Sequence, residues 1–386
     1  MRRGEAARDR VRKQGPQASL VTWALALLFL VAIDAALTRT SLLWGPTAFE
    51  NSGGLRTVFP QTYQVLRKIY SPERDAETRV ALLGNSRLAL SAKERGVERA
   101  LTQAAPERDV AVSNLAIFGS YIGDTAVLAR HLGAMEPDLV VLSVGAVDLL
   151  RPALNPDAEG PTSLLEIGWR EGPVPAAGWG DLVDRWARTA SRLYRFREFV
   201  REAVLDRVLA RPDPGPPPSE FDDTLGLFRH MYGERGDAIE AARNVFLAEP
   251  DLAGFARYVE TVGPEHLQRQ KDRARLTHSL DESSPSVVVL EMLLEELTSS
   301  GFRVVVLLMP EQPLLALDAR GEYHRPGMAE QGASLVYRSA GRFGVPVIDA
   351  RRWMPAECFL DFDHPIFELE HFEEPLAREI LSALES

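Results

Sequence analysis

The sequence predicts an α/β domain in which a parallel β-sheet lies between two layers of helices. Short apolar runs alternate with helical stretches, the runs are almost continuously apolar, and the connections between them are short. Strands of a parallel sheet have this apolar character because helices cover both faces of the sheet. We expect one domain, residues 76–386, interrupted by a mainly helical insertion at about 152–285.

The apolar runs predict five strands, at residues 79–83, 109–116, 138–145, 302–310 and 345–350. The helical stretches follow the runs, and one of them, 286–301, ends at a glycine suited to a helix C-terminus. The other helical stretches are a segment ending near Ala100 and residues 125–135 and 329–344. Inside the insertion we expect helices at 182–210 and within 237–275, and a proline-rich loop at 211–220.

A membrane anchor is predicted before the domain. Residues 18–37 contain a single charge, Asp34, and a helix of this length spans about 30 Å, the thickness of a bilayer core. Residues 1–17 contain six basic and two acidic residues, and such flanks stay in the cytoplasm. No clear cleavage site follows the apolar run. We therefore expect a cytoplasmic tail, an uncleaved single-pass anchor, a connector at 38–75 and an extracytoplasmic domain.

The composition excludes several kinds of function. The net charge of −11 argues against a general nucleic-acid binder, which needs clustered basic residues to neutralise phosphates. The single cysteine, Cys358, excludes an intramolecular disulfide and multi-cysteine zinc or iron–sulfur sites. An exported bacterial-type domain without disulfides fits this composition. We expect no nucleic-acid partner and no cofactor.

A candidate nucleophile, Ser86, lies in "GNSR" directly after the first predicted strand. The carboxyl end of a parallel strand is where ligands bind in such sheets, and the N–H groups that begin the next helix can stabilise an oxyanion. Alternatively, Asn85 or Ser86 only caps that helix. This stretch alone leaves both interpretations open.

A base for Ser86 is predicted near the C-terminus, because a serine hydroxyl needs a base, commonly a histidine oriented by a carboxylate. Asp361 precedes His364 by three residues, a spacing that can bring both side chains to one point. Together with Asp363 and His371 they could also bind a metal ion, but we favour the serine arrangement and predict no metal. The remaining histidines lie in polar segments and are expected at the surface: His131, His230, His266, His278 and His324.

Four stretches in this order resemble the sequence blocks of the SGNH/GDSL hydrolase superfamily. They are "GNSR" at 84–87, "NLAIFGS" at 114–120, "PDLVVLSVGAVDL" at 137–149 and "DFDHP" at 361–365. The resemblance covers residues 79–150 and 286–386, but not the insertion. It implies a flavodoxin-like arrangement of the sheet.

The resemblance also implies roles for individual residues. The serine of the first block is the nucleophile of that superfamily, which here is Ser86. The Asp-x-x-His pair of the last block corresponds to Asp361 and His364. The oxyanion donors are the backbone N–H groups of Ser86 and of the second-block glycine, Gly119, and an asparagine of the third block.

The third block departs from the superfamily pattern, because Val147 stands where the asparagine is expected. A valine has no side-chain donor, and loss of one oxyanion donor costs about 10²–10³ in rate. Asn114, Ser120 and Tyr121 are candidate substitutes near the second block. Alternatively, the reaction needs less oxyanion stabilisation, or the domain binds without catalysis. Asp148 is expected to connect loops and not to react.

An anchor followed by such a domain is similar to exported acyl-transfer proteins of the bacterial cytoplasmic membrane, including the D-alanyl-lipoteichoic acid transfer protein and relatives of the alginate O-acetyltransferase. This similarity implies an extracytoplasmic serine esterase or O-acyltransferase that acts on acyl, chiefly acetyl, esters of a cell-envelope or secreted glycan. A multi-span acyltransferase is the implied partner. Two alternatives stay open: a non-catalytic assembly or glycan-binding protein of a polysaccharide-modification complex, and a lipid or lipoprotein esterase.

Overall fold

A computed structural model of the chain describes residues 75–150, 235–275 and 280–385, together with Leu28, Phe29, Ala32, Gln64, Val65 and residues 68–70. The predicted tail, the predicted helix at 182–210 and the predicted loop at 211–220 lie outside these residues, as does nearly all of the predicted anchor and connector. Within the described part of the chain, no helix has the length and apolarity needed to cross a bilayer.

A five-stranded parallel sheet forms the centre of the domain. Its strands are β1 (Thr78–Leu83), β2 (Val110–Asn114), β3 (Leu139–Val144), β4 (Val304–Leu308) and β5 (Val347–Asp349). They lie in the order β2-β1-β3-β4-β5, and every neighbouring pair is parallel. This is the flavodoxin-like order, and it confirms the parallel α/β sheet predicted from the sequence.

Within residues 75–150, 235–275 and 280–385, the α-helices are α1 (Ser86–Ser91), α2 (Glu94–Ala104), α3 (Ile122–Ala129), α4 (Gly236–Ala248), α5 (Leu252–Val262), α6 (Pro264–Ala274), α7 (Pro285–Ser299), α8 (Met328–Arg342) and α9 (Glu370–Glu385). Alternate residues of the strands, such as Val80 and Leu82, join one apolar cluster with residues of α1, α2, α4, α5 and α9. The intervening residues, such as Ala81 and Leu83, are also buried. Helix α7 contacts α3 and α8, and both α7 and α8 contact β4.

The loops after β1 and β3 lie side by side at the carboxyl edge of the sheet. The register pairs Leu83, the last residue of β1, with Leu142 of β3. Gly84 follows β1 and packs closely on β3, since a Cβ at this position would lie 1.9 Å from Ser143 Oγ. The strand order reverses between these two strands, and ligands of open α/β sheets bind at such a point.

Three helices from the predicted insertion, α4, α5 and α6, pack against the C-terminal part of the domain. Phe246 of α4 and Phe255 of α5 are buried, with their ring centroids 5.2 Å apart. Phe255 also packs edge-on against Phe362, again at 5.2 Å. The helical character predicted for residues 237–275 is confirmed, and these helices lie against the segment that contains Asp361 and His364.

The helix predicted after β1 differs from the structure, because it is divided into α1 and α2. Ala92 and Lys93, between the two helices, have extended backbone angles. Side chains from distant elements hold this break: Asn114 Nδ2 donates to the Ala92 carbonyl at 2.7 Å, and Glu373 accepts the Lys93 N–H at 2.9 Å. Tertiary contacts therefore override a continuous helical pattern.

Gly332 and Gly341 form a matched pair for testing the packing of α8. A Cβ on Gly332 would lie 2.3 Å from the backbone oxygen of Ala146, whereas a Cβ on Gly341 would meet nothing within 4 Å. Gly341→Ala is expected to raise the free energy of unfolding by up to about 1 kcal/mol, the ordinary preference of a helix for alanine. Gly332→Ala is expected to lower it by about 1–3 kcal/mol, because the added methyl group overpacks the contact. Denaturant unfolding measures both values, and equal effects would contradict this packing.

Candidate active site

Asn85 caps α1, and Ser86 is the first residue of that helix. The Arg87 N–H donates to Asn85 Oδ1 at 3.1 Å, which satisfies one of the N–H groups at the start of the helix. The amide of Asn85 in turn donates to Asp148 Oδ2 at 2.9 Å. Asn85 therefore performs the capping that the sequence left open between two residues, and the Ser86 hydroxyl has another partner.

That partner is His364, which lies 278 positions away in the sequence. Ser86 Oγ lies 2.8 Å from His364 Nε2, and His364 Nδ1 lies 2.9 Å from each carboxylate oxygen of Asp361. An ionised carboxylate only accepts hydrogen bonds, so Nδ1 carries a proton and the neutral ring presents Nε2 as the acceptor of the hydroxyl. The structure thus brings together the three residues predicted to react, in an order suited to proton transfer from the serine.

A tight turn holds Asp361 and His364 together. Asp361 Oδ1 accepts the backbone N–H groups of Asp363 and His364, each at 2.8 Å. The Leu360 N–H donates to the His364 carbonyl, also at 2.8 Å. The carboxylate therefore binds both the backbone and the ring of the histidine, which is the physical reason for the three-residue spacing.

Burial and charge determine the ionisation of this pair. The Asp361 side chain is 5% exposed. Burial alone would raise the pKa of Asp361, but the attraction of His364 and the hydrogen bonds from His266 and His364 outweigh it and lower the pKa. Burial alone would lower the pKa of His364, but the charge and hydrogen bonds of Asp361 raise it above the usual histidine value. The carboxylate is therefore ionised, and the ring is more basic than a free histidine.

A second carboxylate, Asp363, connects two arginines beside these residues. Arg87 is 3% exposed and pairs with Oδ1 of Asp363, while Arg273 of α6 pairs with Oδ2. Burial disfavours a charged guanidinium, but Asp148 and Asp363 together raise the pKa of Arg87. A buried charge is tolerated when it is paired in this way. The network ties α1 and α6 to the C-terminal turn.

Gly119 lies in the turn after β2, and this turn packs on the loop that precedes Ser86. The Ile117 N–H and the Ser120 hydroxyl donate to the Gly84 carbonyl at 3.1 and 3.2 Å. Gly119 has φ = 73°, in the left-handed region that favours glycine. The two segments predicted to supply oxyanion donors are therefore neighbours.

The polar residues considered as substitutes for the missing asparagine have contacts within the fold. Asn114 Nδ2 donates to the carbonyls of Ala92 and Leu88, at 2.7 and 3.3 Å, which uses both amide protons. Ser120 is buried, and its hydroxyl binds backbone carbonyls. Tyr121 is the N-cap residue of α3. The side chains of Asn114 and Ser120 thus stabilise the turns around the first two strands.

Asp148 organises the loop after β3. Its Oδ2 accepts the Gly145 N–H at 3.1 Å as well as the amide of Asn85. These contacts join the loop to the cap of α1 and agree with the connecting role expected from the sequence. Val147 lies in the same 3-10 helix, Ala146–Leu150.

His266 corrects an expectation, since the sequence placed it at the surface. Its side chain is 21% exposed, and its Nδ1 lies 2.9 Å from Asp361 Oδ2. His266 and Arg273 lie on one face of α6, two turns apart, and each contacts a carboxylate of the C-terminal turn. The spacing of these two residues was visible in the sequence, but the surface that they contact depends on how the helix packs.

Among the described residues, one cluster of possible metal ligands lies outside this site. Cys358, Glu368 and His371 bring their ligand atoms within 4.8 Å of one another. Burial, together with the charge of Glu368, raises the pKa of the Cys358 thiol to about 12, so the thiol keeps its proton at neutral pH. His371 therefore lies with Cys358 and Glu368, and not with the aspartates considered beside it from the sequence.

No protein-family model and no curated protein sequence matches this chain. Some solved structures are similar to it at low identity. A lipase/acylhydrolase from Enterococcus faecalis is 12% identical with a TM-score of 0.33, and the match covers 79% of this chain and 96% of that chain. LAE5, an α/β hydrolase enzyme from the metagenome of Lake Arreo, Spain, is 12% identical with a TM-score of 0.33, and the match covers 81% of this chain and 97% of LAE5. A gut microbial diltiazem-metabolizing enzyme is 11% identical with a TM-score of 0.31, and the match covers 82% of this chain and 49% of that enzyme. Similarities at this level identify neither the family nor the reaction of this chain.

Proposed function

We propose that this protein is a membrane-anchored, extracytoplasmic serine esterase or O-acyltransferase that acts on acyl esters of a cell-envelope or secreted glycan. The observation that carries the proposal is the hydrogen-bonded series of Ser86, His364 and Asp361, with 2.8 Å between Ser86 Oγ and His364 Nε2 and 2.9 Å between His364 Nδ1 and the carboxylate. The series lies at the carboxyl edge of the sheet, beside the reversal in strand order.

In this mechanism Ser86 Oγ attacks the acyl carbonyl while His364 Nε2 takes the hydroxyl proton. Asp361 holds the Nδ1–H and stabilises the imidazolium. The N–H of Ser86, at the start of α1, and the N–H of Gly119, in the neighbouring turn, stabilise the oxyanion. The imidazolium then protonates the leaving alcohol, and the acyl group remains on Ser86.

The second half of the reaction removes the acyl group from Ser86. His364 takes a proton from an incoming hydroxyl, which attacks the acyl-enzyme, and Ser86 regains its proton as the new bond forms. Water as the attacking group gives a carboxylic acid and an esterase. A sugar hydroxyl gives a new ester and an O-acyltransferase.

The glycan substrate and the exported location are supported by the sequence. The apolar segment at 18–37 with its basic flank predicts the anchor, and "GNSR" with "DFDHP" resembles exported acyl-transfer proteins. A multi-span membrane acyltransferase would supply the acyl group at the outer face of the membrane. Val147 in the third block favours a second candidate, a glycan-binding protein without catalysis.

The preference for substrate tests this proposal. Full-length protein is incubated separately with an acetylated polysaccharide and with phosphatidylcholine vesicles, and the released acid is measured. We expect release from the polysaccharide to be at least about tenfold faster, because binding of the glycan contributes to the transition state. Faster release from the vesicles would favour a lipid esterase instead. Release that is unchanged in Ser86→Ala would contradict the serine mechanism.

A further inference from the structure

We infer that His266 is a positioning residue for Asp361, an inference that rests on the function proposed above. His266 Nδ1 lies 2.9 Å from Asp361 Oδ2, so the carboxylate stands between two imidazoles. One of them, His364, contacts the proposed nucleophile. The other comes from α6, a helix outside the strand–helix alternation of the domain.

The two oxygens of Asp361 are held in different ways. Oδ1 accepts two backbone N–H groups of its own turn. His364 Nδ1 lies at the same distance from both oxygens. In the described residues, the other contact of Oδ2 is with His266 Nδ1. The contact with His266 therefore restrains rotation of the Asp361 carboxylate about its Cβ–Cγ bond. Because Asp361 is buried, a lost donor on Oδ2 is costly to replace.

The proton of this bond belongs to His266. A carboxylate oxygen only accepts, so Nδ1 of His266 must be protonated. The guanidinium of Arg269, which only donates, lies 3.2 Å from the same nitrogen and could bond only to an Nδ1 without a proton. The contact with the buried Asp361 carboxylate is shorter, at 2.9 Å, and it favours the proton on Nδ1. The carboxylate of Glu265 lies 3.6 Å from Nε2.

Two further contacts fix α6 at the site. Arg273, two turns after His266, pairs with Asp363. Gln270, between them on the same face, donates to the Tyr323 carbonyl at 2.6 Å. His266 is therefore presented by an anchored helix, which holds a side chain more accurately than a loop does.

Two substitutions at one position test the inference in the full-length protein. The amide nitrogen of asparagine can occupy the place of imidazole Nδ1 and donate to Asp361, whereas alanine cannot. With p-nitrophenyl acetate, we expect His266→Ala to lower kcat by about 10–10²-fold, with KM within about twofold. His266→Asn should recover most of the loss. Gln268→Ala, an exposed residue of the same helix that bonds to Asp272, is the control and should behave like the unmodified protein.

The results separate this inference from the proposed function. If Ser86→Ala is inactive and His266→Ala is fully active, the inference is wrong and the proposed function stands. If Ser86→Ala is fully active, the proposed function fails and the inference fails with it. NMR of the imidazole nitrogens gives a second measurement, which does not depend on whether the alanine variant folds. We expect His266 to carry a proton on Nδ1. A neutral ring protonated on Nε2 alone would overturn the inference.

Discussion

Ser86→Ala is expected to lower the turnover of an acyl ester by about 10³-fold or more, because the variant lacks the oxygen proposed to receive the acyl group. The half-buried hydroxyl makes its hydrogen bond to His364 at the edge of the sheet. Its removal should therefore change the free energy of unfolding by no more than about 1 kcal/mol. Steady-state kinetics with p-nitrophenyl acetate and denaturant unfolding measure the two quantities.

Ser91→Ala is the matched control for Ser86→Ala, because Ser91 ends the same helix. Its buried hydroxyl donates to the Arg87 carbonyl at 2.7 Å, so the substitution removes a serine hydroxyl without touching the hydrogen bond between Ser86 and His364. We expect the turnover of Ser91→Ala to remain within about threefold of the unmodified protein, a small effect for a residue outside the reacting groups. Equal losses in the two variants would show that the helix, and not the Ser86 hydroxyl, is responsible.

Asp361→Asn is expected to lower kcat by about 10⁴-fold, the size of effect seen when the carboxylate of a serine–histidine–aspartate series becomes an amide. The amide can donate to His364 Nδ1 and so favours the ring tautomer that is protonated on Nε2. That tautomer cannot accept the Ser86 proton. Single-turnover kinetics with an activated ester measure the loss, and a decrease of less than about tenfold would contradict the orienting role of Asp361.

The pH dependence of kcat/KM provides a second test of the contact between Asp361 and His364. His364 must be neutral to take the proton, and its pKa is raised by Asp361 in spite of burial. Activity should therefore fall on acidification through a pKa above the usual histidine value. In Asp361→Asn the negative charge is lost while His364 stays buried, so the pKa of His364 falls. The acidic limb of the pH profile, where activity is lost on acidification, should therefore move to lower pH. A limb at the same pH in both proteins would contradict the coupling.

The sheet was predictable because strands buried on both faces leave a continuous apolar run. Residues 138–145 predict the third strand, and β3 spans Leu139–Val144. The division between α1 and α2 was not predictable, since Asn114 and Glu373 hold it from other parts of the chain. The anchor at 18–37 lies almost entirely outside the described residues and stays a prediction.

The three residues proposed to react were predictable from the sequence, whereas the residues of α6 that contact them were not. Ser86 was found from its place after a strand, and Asp361 and His364 from their spacing, which a single turn explains. His266 was missed because a histidine in a polar helix gives no sign of its partner. Arg273 was missed for the same reason, since the contact with Asp363 exists only after α6 has packed on the C-terminal turn.

Covalent labelling with a fluorophosphonate tests the assignment of Ser86 as the nucleophile most directly. The full-length protein is treated with the probe and digested, and the modified peptide is identified by mass spectrometry. We expect one adduct per chain, on Ser86, absent from Ser86→Ala and formed much more slowly in His364→Ala, because an alanine cannot take the serine proton. An adduct on a different residue, or labelling that persists in Ser86→Ala, would contradict the assignment.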